Sequence, residues 1–190
     1  MKIDKTNGKI QGIHSISSPN FNNRPDEDDI SLIIIHGISL PPGRFGDGYI
    51  EQLFTNSLSV TEHPHFIELK NLKVSSHLLI NREGVLTQFV PFHKRAWHAG
   101  ESKYKGRENC NDFSIGIELE GVDDIPYTEE QYLQLAEVLH HLIHAYPILS
   151  SHTITGHSDV APGRKTDPGQ AFDWDYLHQK LDIQQKIPIS

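Results

Sequence analysis

The chain has 190 residues, 36% of them hydrophobic, enough for one well-buried core and short for two, so a single domain is expected. A formal net charge of -8, a pI near 5.9 and the lack of any Lys/Arg stripe argue against nucleic acid as a partner, because phosphate backbones are bound by clustered cations. The lone Cys110 excludes an internal disulfide framework and a Cys-rich zinc site, and no apolar run approaches the roughly 18 residues of a membrane span.

The N-terminus is polar and no apolar run of signal-peptide type follows it, so the expected protein is soluble and cytoplasmic. A monomer is expected, though nothing in the sequence fixes the oligomeric state. Residues 1–30 mix Asn, Ser, Pro and Asp with few apolar side chains and read as an extended lead-in to which no chemistry is assigned. Ser31-Leu32-Ile33-Ile34-Ile35-His36-Gly37 predicts a short strand buried on both faces, hence central in a sheet. His36 closes that strand, where sheets tend to place functional groups; a satisfied core-edge histidine is the alternative.

Asp47 to Phe54 predicts a short helix capped by Asp47. Residues 55–72 are turn-rich, and His63 and His65, flanking Pro64, read as surface histidines. Val74–Ile80 and Val85–Val90 predict a hairpin across Asn81-Arg82-Glu83-Gly84, with His77 structural inside its first strand. A long loop, Phe92 to Asn111, carries Trp97, which either walls a pocket or plugs the core.

In Phe113 to Gly121 alternation sets Ile115, Ile117 and Leu119 on one face and Gly116, Glu118 and Glu120 on the other. A carboxylate buried unpaired costs several kcal/mol, so Glu118 faces solvent, a cation or a water; an exposed face without function is the alternative. Thr128-Glu129-Glu130-Gln131 has capping-box form, and Tyr132, Leu135, Ala136, Leu139, Leu142, Ile143 and Tyr146 continue at helical spacing until Pro147. His140 and His144 read as flanking polar positions on that helix. A strand over His152–Thr155 leads into a loop, Gly156 to Gly169, and Asp173 caps a last helix carrying Trp174, Leu177 and Leu181. The expected organisation is a lead-in over 1–30, one domain over 31–181 and a polar, frayed tail over 182–190.

The Gly156–Gly169 loop holds His157 and Asp167 at its two ends, and its Pro and Gly residues bar a continuous helix or strand, so the loop can fold both side chains toward one point. Turn capping by each is the bland alternative. Zinc held by His36, His157 and Asp167 leaves a fourth position open. Glu118 is then placed to take a proton from water attacking a carbonyl, and the Lys165 ammonium to stabilise the oxyanion. The reaction class is metal-assisted amide hydrolysis.

Four stretches in order, Ile33–Gly43, Arg95–Gly100, Cys110–Gly121 and Arg164–Gly169, resemble the type 2 N-acetylmuramoyl-L-alanine amidases, and among them the cytoplasmic anhydromuramyl-peptide amidases of cell-wall recycling. The resemblance implies a single-domain α/β (α+β) fold with a central mixed sheet flanked by helices, related to peptidoglycan recognition proteins. It implies one zinc ion at His36, His157 and Asp167, with Glu118 and Lys165 catalytic. It also implies a soluble muropeptide substrate cut between the lactyl group and L-alanine, a step that in the family keeps β-lactamase induction low.

Three positions depart from the family pattern: Gly37 stands where Asn is frequent, His65 where Tyr is common, and Asn109 where an Arg precedes the cysteine. A missing Arg removes a bidentate carboxylate partner, for which Lys73 or Arg107 are the candidates; Trp97 and His98 are further candidate substrate contacts. An amidase acting on intact peptidoglycan and a non-catalytic peptidoglycan-binding module are the rival readings, the second disfavoured because such modules typically lack a zinc ligand.

Overall fold

A computed structural model describes residues 1–189. The strand that organises it is Leu32–Ile38 (β2), whose residues 32–36 are all buried, as an aliphatic run covered on both faces must be. Around it lies a six-stranded sheet completed by His14–Ser15 (β1), Leu78–Ile80 (β3), Leu86–Gln88 (β4), Ser114–Glu120 (β5) and Ile154–Gly156 (β6), in the order β6-β2-β5-β3-β4-β1. The strands β6, β2, β5 and β3 run parallel, while β3 and β4 form the antiparallel hairpin expected across Asn81–Gly84.

Each face of the sheet has its own cover. Ile33, Ile35, Ile115 and Ile117 pack against helix α3 (Glu129–Ala145) and helix α5 (Trp174–Gln184) through Leu135, Leu139, Leu177 and Leu181. Leu32 and Ile34 face the other way, onto Ala99, Cys110, Phe113 and Val160. By strand parity His36 falls on this second face, and Glu118, paired with His36 in register, falls there too. The long helix starts where its capping box requires, with Gln131 N–H donating to Thr128 Oγ1 at 3.2 Å.

Several boundaries differ from the sequence expectation. Residues 1–30 are more than a lead-in: Ile3–Asp4 pairs with Lys9–Ile10, β1 joins the sheet edge, and Arg24 is buried. Arg24 donates from Nε to Phe92 O at 3.1 Å, and from its terminal nitrogens to Asn111 O at 3.0 Å and Ser114 O at 2.7 Å, tying the segment beneath the loops. Helix α1 spans Tyr49–Phe54 with Gly48, at φ 73°, as its N-cap; Asp47 instead pairs with Arg44 at 3.0 Å. The turn-rich stretch holds a one-turn helix, α2 (Phe66–Leu69), anchored by the fully buried Phe66.

The long loop is itself structured: Lys94–Ala96 pairs with Phe21–Asn23, and Lys103–Tyr104 with Arg107–Glu108. The strand expected at His152–Thr155 is shifted, because Ser150 caps a 3-10 turn at Ser151–Thr153 and β6 begins only at Ile154. Helix α5 runs past residue 181 to Gln184, with Asp173 Oδ1 accepting from Tyr176 N at 2.9 Å.

Candidate active site

Parallel strands deliver their C-terminal ends to one edge of a sheet. His36 sits near the end of β2, Glu118 beside it on β5, and His157 immediately follows β6 as the first residue of a helical turn, α4 (His157–Val160). The loop after α4 returns to this edge, where Ser158 N donates to Asp167 O at 2.9 Å and the Tyr127 hydroxyl to Pro168 O at 2.9 Å. Two backbone anchors therefore flank the Asp167 side chain.

The result is a compact cluster. The Nδ1 atoms of His36 and His157 are 2.9 Å apart, and Asp167 Oδ2 lies 3.3 Å from the first and 3.0 Å from the second. The proton inventory shows what the cluster suits. His157 Nε2 is 3.1 Å from Ala99 O, which only accepts, so a ring carrying a single proton there turns its Nδ1 lone pair toward the Asp167 carboxylate. Burial holds His36 down to about 4, against the pull of Asp167, so it is neutral near pH 7. Burial alone pushes the Asp167 carboxyl up; protons on the adjoining His157 and His36 rings more than offset it and keep it below the usual carboxylate range, and a cation in their place would act in the same direction. Acceptors facing acceptors inside a protein call for a cation, and two imidazole nitrogens plus one carboxylate oxygen are a donor set that fits zinc.

Glu118 reaches the same point, with Oε1 3.9 Å from His36 Nδ1 and a buried Oε2 that has no hydrogen-bond partner among the described residues. Burial raises its carboxyl well above the ordinary value, Asp167 adds to the shift, and the Lys165 charge opposes it. Lys165 is exposed on the loop and lines the same cavity of about 200 Å³ as His36, Glu118, His157 and Asp167, whose apolar wall includes Leu53, Leu69 and Val74. An open groove of about 660 Å³ continues from it past Gly37, Ser39, Gly121 and Asp123.

The four candidate substrate contacts separate. His98 is buried in the cavity wall, its Nδ1 2.9 Å from His36 Nε2. Trp97 neither plugs the core nor lines this cavity: it is half-buried and donates from Nε1 to Asn22 Oδ1 at 3.0 Å. Lys73 is exposed and does not line the cavity itself, but borders a neighbouring depression that shares the wall of Leu53, Leu69 and Leu72 with it. Arg107 is held away by Asp29 at 2.5 Å and by its stacking 3.7 Å over the Phe113 ring.

The space that Gly116 leaves on the Glu118 face of its strand is filled by His98, since a Cβ at 116 would come 2.5 Å from that ring. At the family-variant positions, a Cβ on Gly37 would overlap the Tyr127 hydroxyl, His65 sits on the loop before α2, and Asn109 takes a left-handed φ of 58° before a 3-10 turn. Tyr127, Asn111, Ser114 and Arg24, which support the site from behind, carry no metal-ligand spacing, and nothing in the sequence marks them.

Residues 26–170 match the N-acetylmuramoyl-L-alanine amidase family, and the chain belongs to it. Within that family it is 54% identical over 167 residues to the 1,6-anhydro-N-acetylmuramyl-L-alanine amidase AmpD of Escherichia coli K12, covering 88% of this chain and 91% of the relative. The fold superposes with a TM-score of 0.91 on the crystal structure of a selenomethionine AmpD derivative, at 49% identity over 95% of this chain and 99% of that one. A more distant neighbour, at 25% identity and a TM-score of 0.57, is the amidase AmiD of E. coli in complex with the substrate anhydro-N-acetylmuramic acid-L-Ala-D-γ-Glu-L-Lys; the match covers 90% of this chain and 60% of AmiD.

Proposed function

We propose that this protein is a zinc amidase that hydrolyses the bond between the lactyl carbonyl of anhydro-N-acetylmuramic acid and the amine of L-alanine in soluble muropeptides. The observation that carries the reading is the meeting of His36 Nδ1, His157 Nδ1 and Asp167 Oδ2 beside the unpartnered Glu118 carboxyl. The likeness to AmpD and the substrate held by AmiD supply the substrate class.

In this reading His36, His157 and Asp167 hold one Zn²⁺, which when bound polarises the scissile carbonyl and makes water more acidic. Glu118 Oε2 accepts a proton from the attacking water as the new C–O bond forms. The Lys165 ammonium faces the oxygen that gains negative charge. Glu118 then returns the proton to the leaving nitrogen as the C–N bond breaks, giving the free lactyl carboxylate and the amine of L-alanine. The apolar wall of Leu53, Leu69 and Val74 shields the reacting carbonyl from bulk water.

The enzyme acts as a monomer in the cytoplasm, a setting consistent with the free, buried Cys110; no helix among the described residues is long and apolar enough to cross a membrane. The test is elemental analysis for zinc together with cleavage of an anhydromuramyl tripeptide before and after chelation. Stoichiometric zinc and chelator-sensitive cleavage are expected. Zinc without cleavage of the tripeptide, but with release of peptide from intact sacculi, would move the substrate to polymeric peptidoglycan.

A further inference from the structure

His36 can bind a metal through Nδ1 only if its single proton sits on Nε2, and nothing in the ring itself enforces that choice. The surroundings do. Ser114 Oγ lies 2.6 Å from Cys110 O, and a carbonyl only accepts, so the hydroxyl proton is committed there. The Ser114 oxygen is left to accept from His98 Nε2 at 3.2 Å. With its one proton on Nε2, His98 presents a lone pair at Nδ1, which accepts from His36 Nε2 at 2.9 Å. The His36 Nδ1 lone pair then points at His157 and Asp167.

Neighbouring atoms serve the other ligand. Ala99 O accepts from His157 Nε2, while Asn111 Oδ1 accepts from His98 N at 3.2 Å and from Ala99 N at 2.8 Å, clamping the segment. The missing Cβ of Gly116 gives the His98 ring its place against β5. A segment held at both peptide nitrogens thus turns one side chain and one carbonyl each onto a different histidine, the kind of hydrogen bond that fixes a metal-binding ring's tautomer and orientation.

We propose that His98, backed by Ser114, is a positioning residue that keeps His36 in its Nε2-protonated tautomer, so that the His98–Ala99 segment orients both histidine ligands at once. This rests on the zinc reading for its purpose but not for its measurement. Long-range ¹H–¹⁵N spectra of the metal-free, ¹⁵N-labelled full chain should show His36 Nδ1 unprotonated and Nε2 protonated; a protonated Nδ1 overturns the proposal.

In zinc competition against a chromogenic chelator, His98→Leu should bind about 10- to 100-fold more weakly than the parent. His98→Gln, whose amide oxygen can accept from His36 Nε2, should recover most of that loss. Equal zinc affinity of His98→Leu and the parent overturns the proposal. Should His98→Leu not fold, Ser114→Ala decides: a mixed His36 tautomer is expected, and an unchanged one overturns the role of Ser114 and His98. If the parent itself bound no zinc, the proposed function would fail while the tautomer measurement still judged His98.

Discussion

Glu118 and His36 stand opposite one another on paired parallel strands, and the carboxyl Oε1 lies 3.9 Å from the imidazole nitrogen that meets His157 and Asp167. In the proposed reading this pairing sets the base beside a ligand without making it one, since His36, His157 and Asp167 form a group that could hold a metal without Glu118. Glu118→Gln keeps the volume and removes the base. Turnover of an anhydromuramyl tripeptide should fall by about 10²- to 10⁴-fold while zinc content stays at that of the parent. Near-normal activity would rule out the general-base role.

His157→Ala should act differently, because it removes a donor and leaves Ala99 O without its ring partner. Zinc by elemental analysis and amide cleavage should be lost together. A variant that kept stoichiometric zinc would mean the ion sits elsewhere.

The parts of this site that were legible in the sequence are those whose chemistry is local. The aliphatic run ending at His36, the alternation around Glu118 and the Pro/Gly-broken loop from His157 to Asp167 each announce a strand end or a turn carrying a donor. What stayed hidden depends on distant pairings. Arg24 reads as one cation in a polar lead-in, and only its bonds to Phe92, Asn111 and Ser114 make it a core residue. His98 reads as a substrate contact, and only the space left by Gly116 turns it toward His36. Short elements such as α2 and β6 were missed or misplaced because a few residues carry too little periodicity to set their ends.

Burial also predicts a pH dependence of stability. His77 accepts from Gly116 N at 3.0 Å through Nδ1, donates from Nε2 to Lys94 O at 3.0 Å, and lies beside Arg24. Burial, reinforced by the Arg24 charge, lowers its pKa from 6.5 to about 3. A depressed folded-state value means the unfolded chain binds the proton first, so the stabilisation is complete above pH 6.5 and is lost as pH falls toward 3. Urea unfolding of the metal-free protein should show stability declining over that window by several kcal/mol, with the buried His36 adding to the decline. His77→Gln should flatten the slope; an unchanged slope would assign the acid sensitivity to other groups.

The backbone at Gly37 and Gly121 lies against the ring of Tyr127. A side chain at Gly37 would overlap the Tyr127 hydroxyl, and the same ring fills the space over Gly121. Gly37→Ala should therefore destabilise by about 1–3 kcal/mol, the range for overpacking a closed site. Tyr127→Phe removes the overlapping oxygen and also the bond to Pro168 O, at a cost of about 1 kcal/mol. The double variant should be more stable than the sum of the two predicts, with a coupling of at least about 0.5 kcal/mol in chemical denaturation. Because Pro168 follows Asp167, Tyr127→Phe should also weaken zinc binding, whereas Gly37→Ala should do so only as far as it displaces Tyr127. Strict additivity in stability would mean that position 37 and the hydroxyl do not compete for this space, and that the glycine answers instead to the groove it borders.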